Sequence, residues 1–108
     1  MASYMIQFSY APSALAALIK KPTDRTEVVK ALLAKTGGRL VGIWMAFGEY
    51  DAVMIVEDAK AVDAAAISMA VSASGAFKAF KTTALLTAAE AVEAMGKAGT
   101  LGYAPPGA

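Results

Sequence analysis

Residues 40–56 read LVGIWMAF (Leu40–Phe47), GEYD (Gly48–Asp51) and AVMIV (Ala52–Val56), and this stretch decides the fold. Two apolar runs of strand length flank four residues of turn composition, the pattern of an antiparallel hairpin. Strand side chains alternate between faces. Leu40, Gly42, Trp44 and Ala46 are therefore assigned to one face, and Val41, Ile43, Met45 and Phe47 to the other. The second strand repeats the pattern, with Val53 and Ile55 opposed to Ala52, Met54 and Val56. Both faces are apolar, so both need cover.

Upstream, Tyr4, Ile6, Phe8 and Tyr10 alternate with Met5, Gln7 and Ser9, which predicts a half-buried strand. Ala11-Pro12 breaks it, and Ser13 is expected to cap a short helical turn through Leu15, Leu18 and Ile19 to Lys20. Asp24 with Glu27 has the spacing of a capping box for a helix carrying Val28, Val29, Leu32 and Leu33, stopped by Gly37-Gly38. Downstream of the hairpin, Asp58 is expected to cap a small-residue helix from Ala59 to about Ser74. Phe77 to Leu86 reads as a last strand, and Thr87-Ala88-Ala89-Glu90 as the capping box of a final helix to about Met95.

The order β, α, β, β, α, β is that of a split βαβ unit. The predicted class is thus α+β, a ferredoxin-like four-stranded antiparallel sheet with helices on one face and an extra C-terminal helix. Residues 1–97 form one domain, and 98–108, rich in Gly and Pro, a flexible tail. The helix-free face is apolar where a monomer's would be polar. A second copy of the sheet is the simplest cover, predicting a homodimer or a larger even-numbered assembly.

Composition supports this. Of 108 residues, 57% are hydrophobic and 18% charged, and about a quarter are alanine. The net charge of +1 comes without a basic run, which argues against nucleic-acid binding. Ala64 to Phe77, the most apolar run, falls short of the about 20 residues that span a bilayer. With no basic-then-apolar leader at the N-terminus, the expected location is cytoplasmic. The chain has neither Cys nor His. That excludes disulfides, thiolate nucleophiles, Cys/His zinc sites, His-based triads and histidine haem ligation. No cofactor and no metal site are predicted, and acid–base chemistry is left to Asp, Glu, Lys or Tyr.

Three groups of residues are candidates for a site. Glu49 and Asp51, two apart, can divide acid and base roles with Tyr50 as hydrogen-bond donor; the simpler reading is a solvated turn in which Asp51 bonds backbone amides. Gly42 leaves a gap beside Trp44, and Gln7, Ser9 and Met54 are placed around it as an apolar ligand pocket between sheet and helices. The alternative for Trp44 is plain core or dimer interface. Arg39, Lys78 and Lys81 are candidates to hold an anion at the sheet edge, although edge lysines also block aggregation. Tyr103 in the tail is a candidate to dock on a partner or over a pocket mouth.

Around Gly48-Glu49-Tyr50-Asp51 the sequence resembles the GYD domain family. Gly37-Gly38-Arg39-Leu40 before the motif, Ala52 to Glu57 after it, and Lys81-Thr82-Thr83 through Glu90 carry the resemblance over roughly residues 3 to 95. It implies a ferredoxin-like chain of the dimeric α+β barrel group and brings no activity with it. Three functions stay open: a small-molecule binding or accessory protein, a cofactor-independent oxygenase or isomerase for a small hydrophobic substrate, and a structural or assembly protein.

Overall fold

The computed structural model describes residues 2–107. Its elements run β1 (Ala2–Tyr10), α1 (Pro12–Lys20), α2 (Thr26–Ala34), β2 (Arg39–Met45), β3 (Ala52–Ala59), α3 (Ala61–Ala73), β4 (Phe77–Leu85) and α4 (Ala88–Ala98). The strands form one antiparallel sheet in the order β2-β3-β1-β4, which is the ferredoxin-like arrangement.

Register explains which side chains meet. Ile6 lies opposite Met54 and Phe8 opposite Ala52, while Met54 in turn lies opposite Ile43. These residues share the helix-covered face with Tyr4 and Val56. With Leu33 of α2 and Ile67 of α3 they make the core, in which Ile6, Phe8, Leu33, Ala52, Met54, Val56, Ala59 and Ile67 are buried. Phe8, Tyr10, Phe77 and Phe80 gather at one end, their ring centroids 5.0–6.1 Å apart. α3 is further fixed by Ser68, whose Oγ donates to the Ala64 carbonyl and lies 3.0 Å from Thr82 Oγ1 on β4.

The other face carries no helix. Met5 opposes Ile55, Gln7 opposes Val53, and Gly42 and Trp44 oppose Ile55 and Val53 from β2. The face assignment within β2 needs one correction. The register shifts between Leu40 and Gly42, so a bulge at Val41 puts these two residues on opposite faces. Leu40 packs on the core, and Gly42 faces the open side.

The helix starts also differ from expectation. α1 begins directly on Pro12, without a side-chain cap, because proline at the first helical position has no N–H to satisfy; Ser13 is not its cap. Asp24 does bond the start of α2, but its Oδ1 accepts from the N–H and hydroxyl of Thr26, and there is no reciprocal bond from Glu27. Asp58 is the end of a strand, with φ of 60°, since β3 runs on to pair Ala59 with Ala2. The Thr87–Glu90 capping box is present in both directions, at 2.9 and 3.0 Å, and α4 continues to Ala98. No helix among the described residues is long and apolar enough to cross a membrane.

Candidate functional site

The turn between β2 and β3 is closed by one internal hydrogen bond and tied to the end of β1 by three more. Gly48 takes φ of 146°, a conformation open to glycine and strained for other residues. That lets residues 46–51 fold back so that the Ala46 N–H donates to the Asp51 carbonyl at 2.8 Å. The Asp51 N–H donates to the Phe8 carbonyl at 2.8 Å, and Asp51 Oδ2 accepts from the Tyr10 N–H at 2.9 Å. Ser9, almost wholly buried, donates from Oγ to the Glu49 carbonyl at 2.8 Å. Asp51 thus satisfies a backbone amide that the sheet ladder leaves open.

This geometry separates the two carboxylates in role. The Asp51 carboxylate is engaged with β1, whereas the Glu49 side chain is exposed and Tyr50 is half-buried. The three residues of the turn do not converge on a shared reacting centre.

The Gly42–Trp44 pair is adjacent as expected, but its gap is filled. A Cβ on Gly42 would stand 2.5 Å from Cη2 of the Trp44 ring, so the indole lies over the glycine. The pair faces the open side of the sheet, with Trp44 54% exposed, and Gln7 lies on that side across Val53. Met54 does not join them. It is buried in the core on the opposite face, because alternation along β3 places it with Ala52 and Val56. A pocket between sheet and helices therefore cannot form around Trp44.

The anion candidates are also apart. Arg39 lies on β2 and Lys78 and Lys81 on β4, the two outer strands of the sheet, about 14 Å away from each other at the usual strand spacing. Arg39 is paired with Glu57 and lies 3.8 Å from Asp58. Tyr103 is exposed.

A cleft that sequence reading did not find lies on the helix side. It has a volume of about 890 Å³ and opens between α1, the segment joining α1 to α2, and the end of β2. Leu15, Leu18, Ile19, Ile43, Met45 and Phe47 supply apolar walls, and Tyr10, Arg25 and Asp51 bring polar groups to it. Partial burial pushes the Tyr10 phenol above its ordinary value; Arg25 pulls it down and Asp51 adds a smaller upward push. The signal that pointed here was Met45 and Phe47, large apolar residues at a strand end and beyond it, which remain 67% and fully exposed. Leu15, Leu18 and Ile19 likewise have the spacing of a helical stripe, yet α1 contributes nothing to the buried core. Among the described residues, no three acidic side chains gather as a metal site would require.

The family model described as the GYD domain matches residues 4–95. No curated protein matches the sequence. The chain is similar to the crystal structure of FFRP-DM1, with a TM-score of 0.52 and 21% identity over 80% of this chain and 100% of that one. At that identity the likeness concerns the fold alone.

Proposed function

The chain belongs to the GYD domain family, and on that footing we propose that it works as a homodimeric protein that binds a small apolar molecule in the cleft between α1 and β2. The cleft carries the proposal. A volume of about 890 Å³ walled by six large apolar side chains, with a phenol, a guanidinium and a carboxylate at its border, has the composition of a ligand pocket. Solvent gives no reason to keep Phe47, Met45 and Ile19 exposed in one place.

A binding role fits better than catalysis. The Asp51 carboxylate is used to hold the Tyr10 N–H, and Glu49 is exposed on the turn, so neither stands in the cleft as a free base. The dimer is supported by the second uncovered surface, the sheet face carrying Met5, Trp44, Val53 and Ile55.

Native mass spectrometry of the freshly purified chain tests the reading. The expected result is a dimer with a small co-purified mass that is lost in Leu15→Glu and in Ile19→Glu, two changes on the cleft wall. An adduct retained by both variants would place the ligand elsewhere. A bare protein that also fails to bind an apolar dye more strongly than those variants would remove the cleft as a site.

A further inference from the structure

α4 is built to be a helix, and among the described residues it buries none of its side chains. Its capping box is complete, and Glu93 pairs with Lys97 at 3.7 Å. Ala88, Ala91, Val92 and Met95 recur at three- and four-residue spacing and so share one stripe, away from Glu90, Glu93 and Lys97. Val92 and Met95 are nevertheless 67% and 70% exposed. The radius of gyration of 17.4 Å and the long dimension of 58 Å exceed those of a compact chain this long, whose radius is about 13 Å. An 11-residue helix falls below the about 12–15 residues at which an isolated helix begins to hold in water. The stripe calls for a cover that the other described residues do not provide.

The same chain leaves its helix-free sheet face bare. Four strands spaced about 4.8 Å, each about eight residues long, give that face roughly 500 Å². A stable complex commonly buries about 800 Å² on each partner, so the sheet face falls short and a projecting apolar helix supplies further area. Each of two copies carries both surfaces, and a two-fold pair covers all four together.

Resting on the homodimer proposed above, we infer that α4 is an exchanged arm: in the dimer, the Val92–Met95 stripe of each protomer packs on the other protomer. The helix is ordered by the partner and in turn holds the partner in place.

Sedimentation equilibrium of the full chain and of a Val92→Lys/Met95→Lys variant tests this. Both positions are exposed in the protomer, so the variant keeps the sheet, as circular dichroism would show. Its dimer dissociation constant is expected to rise by at least about tenfold from the lost burial of two apolar side chains. Glu93→Gln/Lys97→Gln, on the opposite side of the helix, leaves it unchanged. Hydrogen exchange supplies a second readout, in which residues 88–98 become protected as protein concentration is raised through the dimer transition. A dimer indifferent to the lysine pair, or exchange in α4 independent of concentration, overturns the arm and leaves the dimer standing. A parent chain that stays monomeric overturns both.

Discussion

Asp51 shows how one residue of the turn serves the fold. Its carboxylate takes the Tyr10 N–H and its backbone bonds Phe8 and Ala46, so removing the side chain leaves a partly buried amide without a partner. Asp51→Ala is expected to cost about 1–3 kcal/mol, a drop in Tm of roughly 4–8 °C for each kcal/mol in a domain this size. Glu49→Gln, on an exposed side chain, is expected to stay within about 0.5 kcal/mol. Urea denaturation of the two variants decides the matter, and equal stabilities would mean that the turn is not held as described. Tyr10 gives a pH signature. Its phenol is raised above 10.0, chiefly by burial, so the folded state holds that proton more tightly than the unfolded chain does. The resulting stability is present below the ordinary tyrosine value and is lost as pH rises through the higher folded-state value. Tyr10→Phe should therefore lose less stability than the parent between neutral and strongly alkaline pH. Parallel alkaline limbs would contradict this.

At the scale of elements, Gly42 and Trp44 make a testable unit. The indole occupies the space that a Cβ on Gly42 needs, and the half-exposed ring is free to swing outward. Gly42→Ala is expected to change stability by less than about 1 kcal/mol, since alanine is the better strand residue, while moving the emission of the sole tryptophan. An unchanged spectrum would show that the ring does not rest there. The hairpin, the alternation of β1 and the Thr87–Glu90 box were legible because period and capping are local properties. The face of Leu40 was not, because a bulge at Val41 shifts the register and nothing in the residue types of β2 announces it. Met54 was misplaced for a related reason: it alternates with Val53 and Ile55, and which of the two sets faces Trp44 follows from pairing across the hairpin. The cleft stayed hidden because Leu15 and Phe47 lie thirty-two positions apart in sequence, and only the packing of α1 beside β2 brings them to one opening.

For the whole molecule, two uncovered apolar regions are proposed to serve two roles: the sheet face receives a second copy, and the cleft a small molecule. The first role predicts that a Val53→Lys/Ile55→Lys variant sediments as a monomer where the parent sediments as a dimer, because two buried charges have no partners across the sheet face. A variant dimer as tight as the parent's would move the interface elsewhere. The second role is tested by methyl NMR of the full chain titrated with decanoate, a ten-carbon chain ending in one carboxylate. The expected result is that the methyl signals of Leu15, Leu18, Ile43 and Met45 shift together and saturate, while the Trp44 indole N–H stays in place. Movement of the Trp44 signal with the α1 and β2 methyls unchanged would contradict it, and would put the ligand on the sheet face instead.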